Sequence, residues 1–122
     1  MRDHTKLRAF KLADGLALEV YKLTKSFPRE EQFGLTSQMR RAALSVASNI
    51  VEGCARRTAV EYARFLDMAY GSCRELGYQL SVAYRLGYIR ADKHNPLHNL
   101  CEETSKVLNG LRLSIRLQPF FL

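Results

Sequence analysis

The chain has 122 residues, of which 47% are hydrophobic and 25% charged, with only three prolines and seven glycines. This describes one packed domain and excludes a disordered, fibrous or multi-domain chain. A net charge of +7 favours a polyanionic partner, nucleic acid or an acidic membrane surface, although many basic domains bind neither.

The first dozen residues are charged and lack an apolar core, so no secretion signal is expected. No run reaches transmembrane length, which points to cytoplasmic residence and no membrane partner. Cys54, Cys73 and Cys101 are odd in number and far apart, as suits free thiols in a reducing compartment.

From Leu7 onward, Phe10, Ala13, Leu16, Ala17, Val20, Leu23, Thr24 and Phe27 fall at three- and four-residue spacing. They predict a first helix over about 7–27, ended by Pro28. Pro28 to Gly34 reads as a polar turn. A second helix is predicted over about 35–52, with Gly53 just past its end. It carries one apolar stripe of Leu35, Met39, Ala42, Ala43, Val46 and Ile50, and another of Leu44, Ala47 and Val51. A surface helix needs only one apolar face, so the second stripe assigns Leu44 and Val51 to an oligomer interface.

Thr58 and Glu61 form a capping-box pattern that opens a third helix over about 58–86, with Gly87 as its C-terminal cap. Gly71 in mid-helix predicts a close backbone approach, with Ala42, Ala43 and Ala47 as the neighbours. Tyr70 lies off the core stripe and joins the interface assignment. Asn95 as cap and Pro96 at the first helical position open a fourth helix over about 96–117. The fold expected is all-α, an antiparallel up-down-up-down four-helix bundle spanning 1–122.

The densest basic excess falls on Arg40, Arg41, Arg56 and Arg57, which are assigned to nucleic-acid binding. Arg56 and Arg57 precede a helix start, where free amides and the dipole already favour phosphate. The plainer reading is solvated arginines or a pair such as Arg41 with Glu52. Ser45, Asn49 and Glu52 share a polar column but have no histidine near them in sequence, so a structural polar seam is favoured over catalysis. His94, His98 and Cys101 lack a fourth ligand at zinc spacing, and no Gly-rich phosphate loop is present; no metal or cofactor is expected. Phe120, Phe121 and Leu122 offer an apolar segment to another protein.

The run from Ser26 to Gly53 contains Phe27-Pro28, Glu31, Gly34-Leu35, Gln38, Arg40-Arg41, Ser45, Asn49 and Glu52-Gly53, and is followed by Gly71-Ser72 and Glu75-Leu76. In this combination, and over nearly the whole chain, it resembles the four-helix bundle family of 23S rRNA intervening-sequence proteins. Val51 replaces a usual alanine, and Phe10 stands where an aromatic, often tryptophan, is usual. The resemblance implies a homo-oligomer, typically a pentamer, of bacterial origin and with a largely undefined role. A related branch, the accessory protein of diversity-generating retroelements, binds nucleic acid and a reverse transcriptase but lacks much of this motif. The function expected is therefore a non-enzymatic homo-oligomer that binds structured RNA or DNA through a basic surface, the alternative being a scaffold for another protein.

Overall fold

The structure, a computed structural model, describes residues 2–117. Four helices follow in order: α1 (Arg8–Thr24), α2 (Leu35–Cys54), α3 (Ala59–Arg85) and α4 (Ala91–Arg116). Short connections make them an up-down-up-down bundle in which α2 packs on α1 and α3, and α4 on α3 and α1. Leu16, Val20, Met39, Val46, Ile50, Leu66, Leu76, Leu80 and Leu108 fill the centre with no more than 1% exposure.

The helix ends differ from expectation for identifiable reasons. Helix α1 stops at Thr24, three residues early, because side chains take over its last carbonyls. Thr24 Oγ1 donates to Val20 O at 2.8 Å, and Ser26 Oγ donates to Leu23 O at 3.1 Å. Phe27 still turns into the core. Helix α2 runs two residues further than expected, so Gly53 is helical rather than terminal. A Cβ on Gly53 would lie 3.0 Å from Phe65 Cβ and 3.1 Å from Tyr62 Cδ1, so glycine lets the start of α3 close on α2. Gly71, by contrast, is exposed and a Cβ there would meet nothing within 4 Å. The close approach expected at Gly71 occurs at Gly53.

Helix α3 follows its capping signals closely. Thr58 Oγ1 accepts the Glu61 N–H at 3.1 Å. At the other end Gly87 adopts φ +80°, with Gly87 N–H bonded to Tyr84 O and Tyr88 N–H to Ala83 O, a Schellman turn. Helix α4 starts at Ala91, five residues before the position expected, and Pro96 lies inside it. Arg90 is its extended N-cap residue and accepts the Lys93 and His94 amides. Asn95 does not cap; Asp92 in the first turn offsets the positive helix end instead.

Candidate nucleic-acid interface

The four arginines singled out in the sequence are parted by the fold. Arg40 turns toward α1. Its Nε donates to Thr24 Oγ1 at 2.8 Å, its Nη2 to Tyr21 O at 3.5 Å, and its guanidinium lies 4.8 Å from the Tyr21 ring centre. It thereby satisfies the end of α1 rather than presenting a free cation. Arg41, one residue on, lies on the α3 side of α2 and is exposed.

Arg56 and Arg57 are both exposed at the α2–α3 turn. The Arg56 guanidinium stacks 4.7 Å from the Phe65 ring centre, which fixes its direction. Arg2 joins them, its guanidinium 4.1 Å from the Tyr62 ring and its Nη1 donating to Arg56 O at 3.1 Å. Three cations thus crowd the end of the bundle where α3 begins. Nothing in the sequence spacing links Arg2 to Arg56; only the return of the N-terminus across the bundle end does. Glu61, which also accepts the Thr58 hydroxyl, and Asp3, next to Arg2 in the chain, place opposing charge beside them.

The polar seam forms between α2 and α3 with two of its three expected members. Ser45 Oγ and Ser72 Oγ are 2.8 Å apart, and Asn49 Nδ2 donates to Ser45 O and Oγ at 2.8 and 2.9 Å. Glu52 is exposed and bonds none of these groups. Toward the start of α2 the seam opens into a cleft of about 330 Å³ lined by Gln38, Arg41, Ala42, Ser45, Ser72, Glu75 and Gln79. Gln79 is only 7% exposed. Its Oε1 is the one buried side-chain oxygen or nitrogen among the described residues without a hydrogen-bond partner.

Of the residues assigned to an interface, Leu44 is 46% exposed and Val51 half-buried, so the second stripe of α2 is not closed by the chain's own core. Tyr70 is half-buried on the α4 side of α3, its ring 4.3 Å from the Arg112 guanidinium that also bonds Asp67. Phe33, in the α1–α2 link expected to be polar, is 91% exposed. Phe120, Phe121 and Leu122 lie outside the described residues.

The histidine and cysteine trio is divided. Cys101 Sγ donates to Cys73 O and Cys73 Sγ to Cys101 O, each at 3.6 Å, inside the α3–α4 contact. The side-chain interaction with Cys101, followed by burial, pushes the Cys73 thiol up. Burial likewise raises Cys54 and the Tyr62 phenol against which it rests. His94 instead stacks on Tyr84 at the surface, with His98 beside it. No helix among the described residues is long and apolar enough to cross a membrane.

Fold and surface together define an all-α four-helix-bundle protein with a polar seam between its second and third helices and a basic corner at one end. The chain belongs to the 23S rRNA-intervening sequence protein family, whose profile matches residues 5–110. Among solved structures it is similar to a protein of unknown function from the S23 ribosomal protein family of Bacteroides thetaiotaomicron, at 20% identity and a TM-score of 0.77. That similarity covers 85% of this chain and 97% of the other, and it shows the shared fold. No curated protein matches the sequence.

Proposed function

We propose that the protein is a non-enzymatic homo-oligomer that binds structured RNA or DNA through phosphate contacts made by Arg56, Arg57 and Arg2, with Arg41 further along the α2–α3 seam. The observation that carries this reading is the basic corner. Three arginines meet there, two with their guanidinium groups held over aromatic rings, at the start of a helix whose dipole adds to the same positive field. Arginine so held contacts phosphate with less loss of side-chain freedom than a mobile one. The exposed Leu44 on the second α2 stripe supports self-association, for which a pentamer is the expected size.

Binding of this kind releases counterions, so log affinity falls steeply with log salt. Arg56→Ala/Arg57→Ala should weaken RNA binding across sequences and reduce that slope by roughly 2. It should leave the particle mass by light scattering unchanged. Unchanged affinity would remove the basic corner from the site. A protein-binding scaffold is the second reading, favoured by Phe33 standing almost wholly in solvent; such a contact would be nearly insensitive to salt.

A further inference from the structure

We infer that Phe33 of one chain seats in the α1–α4 groove of a second copy, an inference that rests on the self-association in the reading above. Phe33 is 91% exposed, although the link that carries it is held firmly on both sides. Glu31 accepts the Leu35 N–H with one carboxylate oxygen and the Tyr88 hydroxyl with the other, and Gly34 N–H donates to Glu31 O. A phenyl group on a fixed backbone loses little freedom on docking, and aromatic side chains are enriched among the anchors of interfaces.

The same chain carries a matching pocket. Between the end of α1 and the start of α4 lies an open groove of about 490 Å³ with Leu23, Pro96, Leu97 and Leu100 along its floor. Its size falls within the range of ligand pockets, roughly 300–1,000 Å³, and leaves room for a phenyl ring with its flanking residues. Charge agrees with this occupant. On the groove's rim Glu19 is bonded to Lys22, and Asp92 to Arg90, whereas Lys93 is exposed and forms no ion pair among the described residues. Glu30, three residues before Phe33, is likewise exposed and without an ion pair among the described residues, so the link brings a carboxylate to the rim that has a free ammonium.

Phe33 and the groove stand level along the bundle but on different sides of it. The groove opens between α1 and α4 at the end where the α1–α2 link turns, and Phe33 stands at that same end just before α2, the helix diagonal to α4. A contact between two different patches is heterologous, and it closes into a ring when the copies are related by rotation without a shift along the axis. Patches at one height meet that condition with the ring axis parallel to the helices. Patches at opposite ends would instead build a filament.

Light scattering over a range of concentrations compares the parent with Phe33→Ser, a change at a site exposed in the single chain. The parent should exceed the 14.0 kDa of one chain. Phe33→Ser should raise the concentration needed for assembly by about 30-fold or more, the effect of losing one anchor residue. To locate the contact, Gln32→Cys chains and Asp92→Cys chains are refolded together from urea and treated briefly with a short bis-maleimide, to which the buried native cysteines respond slowly. A crosslink between positions 32 and 92 can only join two chains, and peptide mass spectrometry should find it. A parent that stays monomeric would overturn both the self-association reading and this inference, and leave Phe33 to the scaffold reading. An oligomeric parent whose assembly Phe33→Ser leaves unchanged would overturn the inference alone. So would crosslinks between two copies of position 32 without any from 32 to 92, since they would set the Phe33 rings of two chains against each other.

Discussion

Tyr88 donates its hydroxyl to Glu31 Oε2 at 2.9 Å, while the other carboxylate oxygen of Glu31 accepts the Leu35 N–H at 3.1 Å. One side chain thereby caps α2 and ties its start to the α3–α4 connection, with the Phe27 ring 5.6 Å from that of Tyr88. The Phe27, Glu31, Gly34 and Leu35 positions that carried the family resemblance are in this way explained by architecture.

The bond to a carboxylate holds the Tyr88 phenol above its ordinary value of 10.0. A raised folded value means that its contribution is whole below the unfolded value and is lost as pH climbs through the folded one. Stability should therefore decline above about pH 10 in the parent and decline less in Tyr88→Phe. Urea unfolding from pH 8 to 11.5 measures the difference; parallel pH profiles would show that the contact contributes nothing.

Gly34 is predicted to resist substitution. A Cβ there would stand 2.7 Å from Glu31 Oε1, the atom that caps Leu35. Gly34→Ala should displace the carboxylate and cost about 1–2 kcal/mol, the range for losing a helix cap. Thermal unfolding checks it. Gly71→Ala should do the reverse, raising stability by about 0.5–1 kcal/mol since a Cβ there has open space. If the gain is absent and the particle mass falls, Gly71 is covered by a second copy.

Arg40→Met should keep much of the packing over Tyr21 but remove both hydrogen bonds to the end of α1. Leaving such acceptors unpaired costs about 1–3 kcal/mol. RNA affinity of the folded variant should equal the parent's, in contrast to the Arg56→Ala/Arg57→Ala protein. A tenfold loss would return Arg40 to the interface.

All three cysteines are free and buried. Cys73 and Cys101 are further engaged by each other's backbone carbonyl inside the α3–α4 contact, and thiols closed off from solvent in this way are inert. Native protein should label with a maleimide far more slowly than protein in urea, at all three sites by mass spectrometry. Rapid native labelling of Cys73 would contradict the packing of α3 on α4.

The bundle was legible because Leu16, Met39, Ile50, Leu66 and Leu80 repeat at helical spacing and punctuation at Pro28, Thr58 and Gly87 is strong. Pro96 misled because proline can sit at a helix start or, as here, shortly inside, and local sequence does not separate the two. Arg40 and Arg41 are neighbours in sequence but lie a hundred degrees apart on a helix, so a charge run could not say which is tied to α1. Gln79 and Glu75 were missed because polar residues on a long helix read as solvated surface. Only the facing column of Ser45 and Arg41 reveals one as buried and the other as the rim of a cleft. Arg2 reaches Arg56 by tertiary return alone.

Pro96 has one more consequence. Lacking an N–H, it leaves out the rung that would hold the Asp92 carbonyl, so residues 91–95 depend more on side chains, including the rings of Tyr84 and His94, than the rest of α4 does. A rod notched so near its tip frays from that tip first. The corner joining α3 to α4 is accordingly where heat or a protease should begin to dismantle the molecule.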